Sequence, residues 1–250
     1  MKAFERLSSF DIHNVENLHL QIHMAPPMNT SKPPIAILYV LDPEPELFIS
    51  AMSHLYGRAG YYEETSILHR IAIAGVGFSP HTFDAHPHGW NVNLLRNLRR
   101  AYFADKHNNT FAHVVCTHVI PECERRFQNC FNPIRCILGA SLSSIAALRI
   151  LFEYNDFQYG ILGSPSIPLC PWIEDIVSEN KESRKCSSII ISGSYETDEN
   201  GIPQKAQEFV DALNLDMRVH VVLNEYHGTV KGSIVSQGIQ FLESKLLNLS

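Results

Sequence analysis

Ser141, Glu196 and His227 are the residues whose types and order could do chemistry together. Ser141 sits in Gly139-Ala140-Ser141-Leu142-Ser143. The apolar run Ile134-Arg135-Cys136-Ile137-Leu138 precedes it, and a segment from Leu142 to Phe152 that reads as a helix follows. A strand, a sharp turn of small residues and a helix hold a serine hydroxyl out at the edge of a sheet; the neighbours must be small because strand and helix pass close. Serine becomes a good nucleophile only when a base takes its proton, and that base needs an acid to orient it. Glu196 follows Ile189-Ile190-Ile191-Ser192-Gly193, an apolar strand running into a small-residue turn. His227 follows Val221-Val222-Leu223 and stands in a His-Gly turn just before the last helical segment. Asp198 is a second carboxylate in the acid's turn. Glu196 is preferred, because it lies nearer the strand end and its side chain can still point along the top of a sheet.

An oxyanion hole needs two backbone N–H groups aimed at the developing charge. One is expected from Leu142, directly after the serine. The other is expected from Leu41-Asp42-Pro43-Glu44-Pro45, where Glu44 supplies the N–H between two prolines that have none.

These residues need a sheet to bring them together. Apolar or alternating runs at 10–15, 18–24, 35–41, 70–76, 134–138, 159–162, 188–192 and 219–223 read as eight strands. The first two alternate with period two and suit an antiparallel pair at a sheet edge. The others alternate with helical patterns, which predicts a mostly parallel sheet with helices on both faces, in a single domain over 1–250. Ala206, Phe209, Val210 and Leu213 form one helical stripe behind Pro203, and Val235, Ile239, Leu242 and Leu246 form the last. A longer helix over 110–127 carries Val114, Val115, His118 and Val119 as its stripe, with a kink expected at Pro121. Residues 79–90 show no periodicity and read as a loop.

The chain has 250 residues, 45% of them hydrophobic and 18% charged, enough for a sizeable core. A net charge of −6, with no run of Lys or Arg, argues against a nucleic-acid partner. No apolar stretch approaches a membrane span. Met1-Lys2-Ala3-Phe4-Glu5-Arg6 lacks the apolar core of a signal peptide, so a cytoplasmic location is expected. The six cysteines form no C-x-x-C, and Cys116, Cys123 and Cys130 recur every seven residues; free thiols are expected. His81, His86 and His88 with Asp84 could hold zinc, but their spacing is that of no known site, and no metal or other cofactor is expected.

The chain resembles the α/β-hydrolase esterases of the esterase D, enterochelin-esterase and antigen-85 group, especially the compact siderophore esterase-like branch. The marks are Ile37-Leu38-Tyr39-Val40-Leu41-Asp42, Val119-Ile120-Pro121, Gly163-Ser164-Pro165-Ser166, Gly193-Ser194-Tyr195-Glu196 and Tyr226-His227-Gly228. The resemblance implies an α/β-hydrolase fold with Ser141 as nucleophile, Glu196 as acid and His227 as base. It departs from that branch at Ser143 and Pro43, where glycine is usual, and at residues 79–84, where an arginine-containing loop is usual. The expected activity is hydrolysis of a small-molecule carboxylic ester. A non-catalytic ligand-binding homologue and an acyltransferase are the alternatives. Residues 79–90 and 165–172 are expected to form a rim over Ser141, with Trp90, His86 and Trp172 as substrate-binding residues. That rim would favour neutral or aromatic acyl groups.

Overall fold

The computed structural model describes residues 7–16, 18–41, 45–60, 66–79, 92–127, 132–154, 156–183, 186–196, 201–227 and 229–248. Its sheet has eight strands in the order β1-β2-β4-β3-β5-β6-β7-β8. They are β1 (Ser8–Val15), β2 (Leu18–Ala25), β3 (Ala36–Leu41), β4 (Ile71–Phe78), β5 (Ile134–Ala140), β6 (Tyr159–Gly163), β7 (Ser187–Gly193) and β8 (Met217–Val222). β1 pairs antiparallel with β2, and β2 antiparallel with β4; every other pairing is parallel. All eight expected strands are present, and the antiparallel pair lies at the edge.

Side-chain alternation divides the core into two halves, one on each face of the sheet. β3 is buried at every position. Ile37, Tyr39 and Leu41 enter one half, and Ala36, Leu38 and Val40 enter the other. A strand covered on both faces disfavours charged side chains; β3 carries none, and Tyr39 is its one hydroxyl. β2 alternates buried and half-buried residues, as its period-two sequence requires.

α1 (Pro45–Ala59) and α8 (Lys231–Leu247) cover one face. Val235, Ile239, Leu242 and Leu246 of α8 are buried, each stabilising the fold by roughly 1.5–3 kcal/mol. On the other face, α2 (Val92–Arg99) leads into a π-helical stretch, Arg100–Ala104, whose Phe103 is buried. α3 (Thr110–Val114), α4 (Ile120–Arg126), α5 (Leu142–Glu153), α6 (Ile173–Asn180) and α7 (Ile202–Leu213) complete that layer.

The helix expected over 110–127 differs in detail. Between α3 and α4 the chain widens into a π-helical turn, Val115–Val119, closed by the Ile120 N–H donating to the Val115 carbonyl five residues back. Pro121 then stands in the first turn of α4, where a missing N–H is tolerated. The wider turn rotates the apolar stripe. Val114, Val115 and Val119 are buried, while His118 is exposed and does not belong to the stripe. Cys116, Cys123, Cys136, Cys170 and Cys186 are free and buried; Cys130 lies outside the described residues. Burial pushes the thiols of Cys116, Cys123 and Cys136 far up, and that of Cys170 up to about 11, so none of the four offers a thiolate near neutral pH.

Candidate active site

The site is assembled at the carboxyl ends of β5, β6, β7 and β8. Ser141 follows β5 with φ 59° and ψ −123°. For a side-chain-bearing residue this is strained, at about 1–2 kcal/mol. Crowding enforces it. A Cβ on Gly139 would lie 2.3 Å from the Ser143 carbonyl oxygen, so only glycine lets α5 start this close to β5. The Ser141 N–H donates to the Gly163 carbonyl at 2.8 Å, which ties the turn to the end of β6. Ser144 Oγ, also at 2.8 Å from each, bridges the Gly139 and Gly163 carbonyls.

Ser143, at the usual second glycine, fits because its hydroxyl folds back on the turn. It donates to the Ala140 carbonyl at 2.8 Å and accepts from the Ala140 N–H at 2.9 Å. The position tolerates a small side chain that hydrogen-bonds inward.

Ser141 Oγ lies 3.0 Å from His227 Nε2. His227 Nδ1 lies 2.8 Å from Glu196 Oε1. An ionised carboxylate can only accept, so Nδ1 carries a proton; in the neutral imidazole Nε2 is then the acceptor facing the serine. Glu196 is completely buried, at 0% exposure. Its second oxygen accepts from the Gly193 N–H at 2.8 Å and from Ser164 Oγ at 2.9 Å. Three donors thus converge on one carboxylate, as a buried charge requires.

The acid and histidine loops are fastened to each other. Ser194 N–H donates to the Val222 carbonyl, and Tyr195 N–H to the Glu225 carbonyl. A Cβ on Gly193 would lie 2.3 Å from that same Glu225 oxygen. Glycine at the end of β7 therefore lets the His227 loop come close enough for the imidazole to reach Glu196. A serine, an imidazole and a carboxylate chained in this way can lower the barrier to removing the serine proton.

No family model matches the sequence, and no curated protein matches it. Solved structures do. The siderophore hydrolase EstA from Aspergillus nidulans superposes with a TM-score of 0.77 at 17% identity, over 98% of this chain and 96% of that one. BES protein from Bacillus cereus gives 0.66 at 20% identity, over 94% of each chain. An S-formylglutathione hydrolase from Agrobacterium tumefaciens gives 0.63 at 11% identity, over 95% of this chain and 94% of that one. This is the α/β-hydrolase fold.

In an α/β-hydrolase the residue after the serine is placed to offer its backbone N–H. Leu142 is the first residue of α5, so its N–H is one of the four at the helix start without an intrahelical acceptor. Glu44, Trp90, His86 and Asp198 lie outside the described residues, as do Pro43, His81, Phe83, Asp84 and His88.

Trp172 is described, and its contacts do not place it on the rim over Ser141. Its indole N–H donates to the Ala104 carbonyl at 2.9 Å, and the Arg149 guanidinium sits 5.3 Å from its ring. Arg149 lies two turns along α5 from the serine, so Trp172 packs against the body of that helix.

Two contacts at the site carry residues that spacing alone did not single out. Ser164 holds Glu196, and Ser166 places its Oγ 3.4 Å from Ser141 Oγ. The signal for Ser164 was its place directly after an apolar strand and before a proline. Tyr195 and Tyr226, each next in sequence to Glu196 or His227, are about half exposed.

Among the described residues no group of three or more His, Cys, Asp or Glu could hold a metal. No described helix is long and apolar enough to cross a membrane. A cavity of about 590 Å³ opens at the opposite end of the sheet, lined by Tyr159, Ser187 and Met217, the first residues of β6, β7 and β8.

Proposed function

We propose that the protein hydrolyses carboxylic esters of small molecules through an acyl-enzyme on Ser141. The carrying observation is the continuous hydrogen-bonded chain from Ser141 Oγ through His227 to Glu196, at 3.0 and 2.8 Å, built on the ends of separate strands. His227 Nε2 takes the Ser141 proton as Oγ attacks the ester carbonyl. The oxyanion is met by the Leu142 N–H, with the Glu44 N–H as its partner. The imidazolium gives its proton to the departing alkoxide, and the acyl-enzyme remains. Water, deprotonated by His227, attacks the acyl carbon; the imidazolium then returns that proton to Ser141 Oγ as the acyl–oxygen bond breaks, releasing the acid and the free serine. Glu196 holds the imidazole's tautomer and offsets its transient charge. No step calls for a metal or other cofactor.

The structural similarity to EstA, a siderophore hydrolase, makes ester-linked siderophores one class to try. A net charge of −6 disfavours strongly anionic esters weakly, so neutral and aromatic acyl groups come first. The test combines a fluorophosphonate probe with a panel of esters from short acyl to aryl to trilactone. Rapid labelling confined to Ser141, with turnover of at least one ester, is expected. Folded protein that neither labels nor turns over any ester overturns the assignment.

A further inference from the structure

Ser164 stands at the end of β6 with φ 42°, immediately before Pro165. A side-chain-bearing residue is disfavoured at positive φ, and the proline ring narrows the choices of the residue before it further. Glycine would meet the backbone requirement with less strain. Yet the position holds a serine, 1% exposed, whose hydroxyl donates to Glu196 Oε2 at 2.9 Å. Its N–H is fixed separately, to the Ile191 carbonyl at 2.8 Å on β7. The backbone therefore does not need the hydroxyl, and the hydroxyl has a charged partner. That partner's other oxygen faces His227 Nδ1 at 2.8 Å. Rotation of the carboxylate about its last bond would break the contact with the imidazole. The Gly193 N–H alone gives Oε2 a single donor at 2.8 Å; with Ser164 there are two, from different strands, which locks the carboxylate plane.

We propose that Ser164 is a positioning residue: its hydroxyl, held at a strained backbone position, orients Glu196 so that His227 faces Ser141. The kinetic part rests on the ester-hydrolase reading above; the geometric part does not.

The experiment uses the full chain with Ser164→Gly and Ser164→Ala. Both lack the hydroxyl, but only glycine relieves the positive φ. Three quantities are measured: kcat and KM on an aryl ester, the melting temperature, and the low-field proton resonance of the His227 Nδ1–H, assigned by its loss in Glu196→Gln. Both variants are expected to lose about tenfold in kcat with KM unchanged, the scale of one hydrogen bond to a charged group. Ser164→Gly is expected to melt higher than Ser164→Ala. The Nδ1–H resonance should shift or broaden in both. A kcat that follows melting temperature, falling in the alanine variant and not in the glycine variant, overturns the proposal in favour of a purely structural serine. So does an unchanged Nδ1–H resonance. Wild-type protein inert to every ester and to the probe would defeat the hydrolase reading, and the resonance would still decide whether Ser164 positions Glu196.

Discussion

The two ends of β5 hold polar clusters of opposite character. At its start, Arg135 forms ion pairs with Glu124 at 2.6 Å and Asp156 at 3.1 Å. Its backbone N–H donates to the Gln158 side chain at 2.8 Å. Each charge there meets an opposite charge, and the cluster opens to solvent. Past its other end, Ser141 sits in strained backbone, and the nearby carboxylate is sealed from water. The Glu196 charge is met by a backbone N–H, a hydroxyl and an imidazole rather than by an arginine or lysine. A paired Arg and Glu have nothing left to give. A carboxylate held by a backbone N–H, a hydroxyl and an imidazole can still stabilise a positive charge when the imidazole acquires one. The comparison separates polar groups that hold the fold together from polar groups that keep a capacity in reserve.

The sharpest way to break this contrast is at Ser141. Ser141→Ala is expected to cost at least about a thousandfold in esterase rate. Ser141→Gly should lose as much, yet gain up to about 1 kcal/mol in stability, because glycine relieves φ 59°. Activity retained in either, measured on a short-chain aryl ester, would remove the serine from the reaction. A glycine variant that melts lower would show that the backbone there is not strained.

Glu196 comes next. Glu196→Gln keeps the volume but removes the charge and puts an amide among donors, so a loss of about a hundredfold or more in kcat is expected. Asp198→Asn should cost much less. The reverse order would identify Asp198 as the acid and leave Glu196 as a structural carboxylate.

Much of this was legible in sequence because the chemistry-bearing residues stand where apolar runs stop. Ser141, Glu196 and His227 each follow a strand, and parallel strands point their ends the same way, so order along the chain became proximity in space. Ser164 was not legible as a partner of Glu196, because its role depends on β6 lying beside β7 and on a backbone angle that composition does not reveal. Trp172 looked like a rim residue for the same reason: a tryptophan in a loop past a strand carries no mark of the Ala104 carbonyl or the Arg149 side chain that hold it. His118 was misplaced because helical periodicity assumes a constant turn, and the π-helical stretch breaks it. Ser143 is the instructive case between these. By type it departs from a glycine position; by geometry it replaces missing bulk with two hydrogen bonds to Ala140. Ser143→Gly is therefore expected to lower stability by about 1 kcal/mol while leaving kcat within about threefold. A large rise in kcat would mean that the serine hinders the turn.

The smallest effect on activity is expected at the opposite end of β5. Arg135→Met removes the cation that meets Glu124 and Asp156, and leaves Glu124, whose side chain is 14% exposed, without that partner. Exposed pairs contribute little and buried ones are costly to break; this one lies between, so a loss of about 1–2 kcal/mol in stability is expected. Activity should not follow. Arg135 lies six residues before Ser141 on an extended strand, roughly 20 Å away at the usual rise, and charges separated by more than a screening length scarcely interact across solvent. Urea unfolding and kcat measured on the same preparation test both halves. Lower stability with unchanged kcat would confirm that the two clusters are independent. A kcat reduced more than about threefold in fully folded protein would mean that β5 transmits strain from one end to the other, and that the elbow's geometry depends on the ion pairs at the strand's start.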